Sequence, residues 1–288
     1  MPDGTPAASD ETRVAVVADT ASALPADLAA REGVILVPMG LSIGGQPVAE
    51  ADITGAELFR RFGEGITTSG PSPGDYATAL EAMGGVGRPV LIVTLAASLS
   101  SSHRAATVAS DGYPGPVCVL DSGSAAGAEA LIALAAARAA AAGGDLTTVE
   151  KTAREAAANV RLVGSLSTLE FLVRGGHLPG VAGRAAQRVN LNPVIELRDG
   201  KVRPLRPAFS RDAALERILA IWRRARPASG RLHIVAMHGV DSGDAERLLQ
   251  RVADEAEPAT AFLSGFGTTM VAHTGPSLVG LSWWWEAD

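Results

Sequence analysis

The chain has 288 residues, of which 47% are hydrophobic, so it is long enough to bury a large core in one domain or two. Its formal net charge of −6 argues against a nucleic acid as a partner, because phosphate contacts require clustered lysine and arginine. Cys118 is the single cysteine, which excludes an internal disulfide and a zinc site built from several cysteines.

The N-terminal residues 1–12 are polar, and we expect them to form a disordered tail. They have no apolar centre, so they do not look like a signal peptide. The longest apolar run, 125–142, is mostly alanine and contains Glu129 and Arg138, which predicts a packed helix and not a membrane span. These features predict a soluble, cytoplasmic protein.

Continuous apolar runs alternate with helical patterns through residues 13–160. The runs at 14–18, 34–37, 90–95 and 117–120 are typical of strands that are covered on both faces. Strands that alternate with helices predict a parallel, doubly wound α/β sheet in an N-terminal domain. Asp19 ends the first of these strands, at the edge where ligands of such sheets gather.

Two hydroxyl-rich stretches precede predicted helices. The first, 67–69, is followed by glycine and prolines, which predict a loop before a helix capped by Ser72. The second, 100–102, lies between the strand at 90–95 and the next helix. Hydroxyls and free N–H groups at helix N-termini suit a carboxylate or a phosphate, although each stretch alone is also typical of an ordinary cap.

Hairpins are mixed with helices in residues 161–288, which predicts a C-terminal domain of α+β type. Strand-like runs flank Arg198-Asp199-Gly200 and predict a hairpin there. We expect 270–273 to be a strand that ends at His273, and 278–285 to be a final strand. An imidazole at that position, before a tight turn, could hold a carboxylate.

Signatures of catalysis and of metal binding are weak. The G-x-S-x-G string at 70–74 is interpreted as a helix cap, because no apolar strand leads into it. His233 and His238 have an odd spacing and should face opposite sides of a strand, so no metal site is expected. No Walker A motif occurs. An α/β enzyme, either esterase-like or a phosphoryl-transfer subunit, that uses Ser100 and His273 stays open as an alternative.

The order of six short motifs along the chain resembles the DegV family. They are the opening at 14–22, Thr67 to Ser72, Leu99 to Ser102, Gly175-Gly176-His177, Leu191-Asn192-Pro193 and His273 to Pro276. The resemblance covers nearly the whole chain. It implies an N-terminal doubly wound parallel sheet and a C-terminal α+β domain, with a ligand tunnel between the two domains.

Members of this family resemble carriers that hold one fatty acid by its carboxylate at the domain junction. The resemblance therefore implies a non-catalytic protein without a cofactor, whose ligand is a long-chain fatty acid. In several bacteria such a protein is the binding subunit of fatty acid kinase and presents the carboxylate to a separate ATP-binding subunit. The residues implied in ligand binding are Thr67, Thr68, Ser69, Ser100, Ser101, His273, Thr274 and Gly275.

The chain departs from the family pattern at several polar positions. Gly70 stands where glutamine is usual, and Ser101 stands where glycine is usual. His177 and Phe209 stand where the family usually has arginine. Arg206 or Arg211 could take over the docking of a kinase subunit from a nearby position.

Trp283-Trp284-Trp285, near the C-terminus, allows two interpretations. It is either an exposed apolar patch, suited to self-association or transient membrane contact during lipid loading, or a strand whose outer two indoles pack inside. A small-molecule sensor without a role in lipid binding is a third functional class, because a fold does not fix its ligand.

Overall fold

The computed structural model of the chain describes residues 13–83, 87–178 and 191–287, and the expected tail at 1–12 lies outside them. The described strands are β1 (Ala15–Asp19), β2 (Val34–Val37), β3 (Gly40–Ile43), β4 (Gln46–Pro47), β5 (Ile66–Ser69), β6 (Val90–Thr94), β7 (Val117–Asp121), β8 (Arg161–Ser165), β9 (Val194–Arg198), β10 (Lys201–Pro204), β11 (Arg231–His238), β12 (Thr260–Gly265) and β13 (Val279–Glu286). The described α-helices are α1 (Ala26–Glu32), α2 (Gly55–Arg60), α3 (Pro73–Ala82), α4 (Ser102–Ser110), α5 (Ala126–Ala141), α6 (Leu146–Asn159), α7 (Glu170–Arg174), α8 (Arg211–Arg224), α9 (Gly243–Ala253) and α10 (Thr268–Thr274).

The first sheet is parallel and is covered by helices on both faces, as the continuous apolar runs predict. Its strand order is β2-β1-β6-β7, and every neighbouring pair is parallel. Helices α3 and α4 cover one face, and α5 covers the other. The chain order reverses between β1 and β6, and sheets of this kind bind ligands beyond the carboxyl ends of their strands at that point.

The second sheet has the order β10-β9-β8-β13-β11-β12. Its neighbouring strands are antiparallel, except that β11 and β12 are parallel. The predicted two-domain α/β architecture, with an α+β second half, is therefore confirmed. The expected domain boundary near residue 160 falls between α6 and β8, and its position stays a prediction.

Helix α5 lies between the two sheets and packs against both of them. Most of its residues are buried, which explains why this alanine-rich run shows no polar face. Gly127 marks a close approach, because a Cβ at that position would lie 2.9 Å from the Cβ of Val235 on β11. The packed helix expected within 125–142 is confirmed, and its small side chains set the spacing between the sheets.

The turn between β9 and β10 joins the second sheet to the carboxyl edge of the first. The N–H of Gly200 donates to the carbonyl of Gly123 at 2.6 Å, and the hydroxyl of Ser98 donates to the carbonyl of Gly200 at 2.5 Å. The pairing of β9 with β10 confirms the hairpin predicted around Arg198-Asp199-Gly200.

The stretch 67–69 is a strand and not the predicted loop. Strand β5 pairs antiparallel with β3 in a small sheet, where Thr68 lies opposite Leu41. The prediction rested on the glycine and prolines that follow, but these residues only end the strand, and its partner is distant in the chain. The cap prediction is right, since Ser72 accepts the Asp75 N–H at the start of α3.

The segment 270–273 is helical, contrary to the predicted strand. It belongs to α10, and His273 lies in the last turn of that helix. A short apolar run cannot be assigned to a strand or a helix by its periodicity alone, and this one was assigned wrongly.

The three tryptophans lie on strand β13, where Trp283 is 1% exposed and Trp284 is 6% exposed. Trp283 packs into one hydrophobic core, and Trp285 is partly buried against the same core, as predicted for the outer two indoles. Trp284 is buried as well, in the core on the opposite face, so the exposed patch is not formed. Along the described ranges, no helix is both long enough and apolar enough to cross a membrane.

Two carboxyl groups are fully buried at the interface of β1 and α5. The carboxylate of Asp19 accepts the N–H groups of Leu95 at 3.0 Å and Ala21 at 3.1 Å. Neither oxygen of Glu129 receives a hydrogen bond, and its neighbour is the Asp19 carboxyl. Burial raises the pKa of Asp19 to about 6, and burial with the Asp19 charge raises the pKa of Glu129 well above its usual value. A protonated Glu129 that donates to Asp19 would remove the repulsion between the two carboxyl groups.

This pair predicts a characteristic pH dependence of stability. A carboxyl group whose pKa is raised by folding stabilises the protein fully below its unfolded pKa of about 4, and that contribution is lost as the pH rises through the folded pKa. Glu129→Gln keeps an N–H donor for Asp19 and cannot ionise. We expect the variant to gain unfolding free energy relative to the wild type, by an amount that grows with pH.

Urea denaturation at a series of pH values measures this difference. Glu81→Gln, at an exposed position of α3, is the matched control, and its unfolding free energy should differ from that of the wild type by the same amount at every pH. If the difference in unfolding free energy between Glu129→Gln and the wild type were also constant with pH, a proton held between Glu129 and Asp19 would be contradicted.

Candidate functional site

A largely apolar cavity of about 440 Å³ lies between the two sheets, at the carboxyl edge of the first. Strand β6 leads into one wall through Leu95 and Leu99, and the start of α5 adds Ala125 and Ala126. The apolar residues on the side of the second sheet are Leu162, Ile195, Leu197, Val202 and Leu278. A cavity therefore lies where the tunnel between the domains was predicted, at the point where the strand order of the first sheet reverses.

Hydroxyl groups converge at one end of this cavity. Strand β5 carries Thr68 and Ser69 to it, and the turn before α4 carries Ser100 and Ser101. The hydroxyls of Ser100 and Ser102 share a hydrogen bond at 2.8 Å, and Ser100 Oγ also accepts the Ser102 N–H at 3.1 Å. The cavity thus has an apolar body and a polar end, which is the form of a site for an amphipathic molecule.

Gly70 explains how these hydroxyls come together. A Cβ at Gly70 would lie 2.8 Å from the Oγ of Ser100 and 3.1 Å from the Oγ of Ser101. A side chain at this position would crowd these hydroxyls, so the missing side chain leaves room for them. Gly70 and Ser101 are therefore neighbours in space.

A chain of hydrogen bonds links the two halves of the molecule at the same end. The hydroxyl of Thr68 and the Nε2 of His273 lie 2.7 Å apart, and the Nδ1 of His273 lies 3.2 Å from the Nε2 of His177. Gly175 permits this arrangement, because a Cβ there would lie 2.5 Å from the Nδ1 of His273. Both nitrogens of His273 are therefore engaged.

The two imidazoles are neutral at physiological pH. Burial, with a smaller contribution from the neighbouring His177, lowers the pKa of His273 to about 4. Burial also lowers the pKa of His177. The polar end of the cavity therefore offers hydrogen bonds without a permanent positive charge, and a protonated imidazole there requires a negatively charged ligand beside it.

The cavity brings together most of the residues that the sequence singles out, but not all of them. Those that line it are Thr68, Ser69, Ser100, Ser101, His273 and Thr274. Thr67 lies outside the lining and is exposed, and its side chain points to the face of β5 opposite to that of Thr68. Gly275 also lies outside the lining and packs against the ring of Phe171.

Several lining residues were not predicted from the sequence. The most informative is His177, which entered the sequence analysis only as a departure from a family motif. Further examples are Met39, Leu172, Phe266, Thr269 and Met270. Most are apolar and lie on separate elements, so no local pattern marks them. A second histidine near a glycine pair was the one signal that pointed to His177.

The two candidate docking arginines differ in their surroundings. Arg211 donates from Nε to Asp244 at 2.5 Å and from Nη1 to the carbonyl of Ser277 at 2.8 Å. It therefore holds the loop that follows His273. Arg206 is exposed, and its carbonyl accepts a hydrogen bond from Arg217.

The described residues contain no group of three or more metal-ligating side chains that could hold a metal ion. The cavity is lined mainly by apolar groups, and its few polar groups are hydroxyls and imidazoles. The expectation that no cofactor is bound stays a prediction.

Comparison with known proteins connects this geometry with a family. Residues 13–286 match the family model described as "Uncharacterised protein, DegV family". The chain is 32% identical over 275 residues to a DegV domain-containing protein of Streptomyces coelicolor, with 93% of this chain and 97% of the relative covered.

Solved structures agree with that match. The structure described as "Fatty Acid Binding of a DegV family Protein from Thermus thermophilus" is 30% identical, with a TM-score of 0.87, and the match covers 95% of this chain and 99% of that one. The structure of DegV, "a fatty acid binding protein from Bacillus subtilis", is 20% identical, covers 96% of this chain and 100% of that one, and shares the fold with a TM-score of 0.85. This chain therefore belongs to the DegV family.

Proposed function

We propose that this protein binds one long-chain fatty acid, with the acyl chain in the cavity between the sheets and the carboxylate at its polar end. The observation that carries the proposal is the form of the cavity, an apolar body that ends in the Thr68, Ser100 and His273 cluster. The similar Thermus thermophilus protein, whose structure is described as one of fatty acid binding, supports the same ligand class.

The physical balance favours such a ligand. Each buried methylene contributes about 0.8 kcal/mol, so a long acyl chain supplies most of the affinity. Burying a carboxylate is costly unless it receives hydrogen bonds, and the hydroxyls at the polar end are donors of the required kind. A strong permanent cation is not needed, and the neutral imidazole pair is consistent with a ligand that must also be released.

The same arrangement supports presentation of the carboxylate to a second protein. Ser69 and Ser101 line the polar end and are themselves exposed, so that end of the cavity is close to solvent. We infer that the protein is a non-catalytic subunit, and that a separate ATP-binding kinase subunit converts the bound carboxylate into an acyl phosphate. The partner's groups would then stabilise the charge that develops during phosphoryl transfer.

The first test is the identity of the ligand in the purified protein. We expect native mass spectrometry to show one fatty acid per chain, and organic extraction followed by mass spectrometry to identify it. A protein that is isolated empty and takes up no added fatty acid would overturn the proposed function.

The hydroxyl of Thr68 provides a sharper test, because its neighbour offers a matched control. Thr68→Val keeps the volume of the side chain and removes the hydrogen bond, so we expect affinity for a fatty acid to fall about 10- to 100-fold. Thr67→Val makes the same change on the opposite face of β5 and should leave the affinity within about twofold. Fluorescent fatty acid displacement measures both, and equal losses in the two variants would contradict the assigned polar end.

Docking to a kinase subunit is tested at Arg206. Reversing Arg211 as well would break its contacts with Asp244 and Ser277, so the single substitution Arg206→Glu is the cleaner variant. With an added bacterial fatty acid kinase subunit, we expect this variant to form acyl phosphate from ATP at least tenfold more slowly. That loss corresponds to a docking free energy that is weaker by roughly 1.4 kcal/mol or more.

Arg224→Glu makes the same charge reversal at an exposed position of α8 and serves as the control. Fatty acid binding should be unchanged in both variants. Normal acyl phosphate formation with Arg206→Glu would remove Arg206 from the docking surface.

A further inference from the structure

We propose that His177 is a positioning residue, which sets the direction of the hydrogen bonds through His273 to Thr68 and couples carboxylate binding to the uptake of a proton. This inference rests on the proposed function, because it concerns how the same polar end recognises a carboxylate.

The geometry places His177 behind His273 as seen from Thr68. The two rings meet edge to face, with centroids 4.8 Å apart and an interplanar angle of 69°. Their nitrogens are 3.2 Å apart, and the other nitrogen of His273 lies 2.7 Å from the Thr68 hydroxyl. The three groups therefore form one continuous chain, and each of them lines the cavity.

The direction of these hydrogen bonds decides whether the Thr68 hydroxyl can donate its proton to a ligand. If His273 donates from Nδ1 to His177, its Nε2 carries no proton and must accept the only proton of the Thr68 hydroxyl. Thr68 would then present lone pairs to an incoming carboxylate, which repels them. If His177 donates from Nε2 to His273, the Nε2–H of His273 donates to Thr68, and the hydroxyl proton is free for the carboxylate. A donating His177 thus holds His273 in the binding-competent tautomer.

His177 can also accept a hydrogen bond when His273 is protonated. A protonated His273 has N–H groups on both nitrogens, and the buried one requires an acceptor. The Nε2 of a neutral His177 is that acceptor, since its proton can lie on Nδ1 instead. The pair can therefore take up one proton without leaving a buried donor unsatisfied.

Carboxylate binding should draw a proton into the pair. The empty pair is neutral because burial lowers the pKa of both rings. A bound carboxylate favours the charged imidazolium and raises the pKa of the pair. Between the pKa of the free pair and that of the bound pair, affinity must then fall as the pH rises, by up to about tenfold per pH unit.

Other charged groups do not account for this coupling. The elements packed against α10 are α2, α7 and β5. Their ion pairs are Glu57 with Arg60 on α2 and Glu170 with Arg174 on α7. Glu50 accepts the Thr269 N–H near the start of α10. The pKa shift of His273 has burial and His177 as its causes, so the imidazole pair is the coupled unit.

Two substitutions separate hydrogen bonding from ring packing. His177→Phe keeps an aromatic ring in the same space but can neither donate nor accept. His177→Gln loses the ring but can do both through its amide group. If His177 only filled space, Phe would be the better replacement, whereas a positioning role makes Gln the better one.

The experiment is the dissociation constant of a fatty acid, kept below its aggregation limit, measured from about pH 6 to pH 8 for the three proteins. The wild type should bind more weakly as the pH rises and should take up protons, as shown by calorimetry in buffers of different ionisation enthalpy. We expect His177→Phe to bind at least about fivefold more weakly and with a flat pH profile. His177→Gln should recover most of the affinity and of the pH dependence.

The outcomes distinguish the two proposals. A wild type that binds no fatty acid at any pH refutes the proposed function itself. A wild type that binds, while His177→Phe matches it in affinity and pH profile, overturns only the role of His177, and so does a Gln variant that is no better than Phe.

Nitrogen NMR of the wild-type complex tests the same idea without a substitution, which guards against a variant that fails to fold. The chain has five histidines, so assignment is practicable. The Nε2 of His273 should carry a proton in the complex, and a bare Nε2 would overturn the inference.

Discussion

The burial of helix α5 between two sheets is the constraint on which the rest of the structure depends. Both sheets can approach the helix because ten of its 16 residues are alanine, and Gly127 lets β11 come closer still. The same small residues leave space at the start of the helix, where Ala125 and Ala126 line the cavity. Larger side chains there would fill the space in which we place the acyl chain. Core packing and cavity formation therefore have one common cause.

The polar groups around the cavity follow a single physical rule, which is to avoid isolated buried charge. Glu129 is held in its protonated form beside Asp19, and the two imidazoles at the polar end are neutral. In a site of low dielectric constant, a fixed cation would bind any anion strongly and release it slowly. A neutral site that becomes charged only when a carboxylate arrives avoids that cost in the empty state. This property fits a protein that loads a ligand and later gives it up.

The sequence was informative where structure depends on local pattern and less so where it depends on distant partners. The buried strands of the first sheet were predictable because each is a continuous apolar run, and the start of α3 was predictable from Ser72 and its proline. Strand β5 was missed because its partner β3 lies far away in the chain. The contact of His177 with His273 was not predicted for the same reason, since it joins the turn after α7 to helix α10. The family motifs pointed to Thr68 and Ser100, which line the cavity. The motifs do not distinguish Thr68 from Thr67, whereas the structure shows that Thr67 is not part of the lining.

The contacts of the histidine and the serines also bear on the alternative of an α/β enzyme. A serine nucleophile requires a histidine within hydrogen-bond reach, with that histidine oriented by a third group. In the described part of the chain, the hydroxyl of Ser100 bonds to Ser102, and His273 uses its two nitrogens for Thr68 and His177. A histidine whose pKa is lowered to about 4 is also a weak base at neutral pH. The orienting group is a second imidazole and not a carboxylate, so it brings no negative charge to the imidazolium that hydrolysis would form. The same features that disfavour proton abstraction from Ser100 favour the donation of hydrogen bonds to a bound carboxylate.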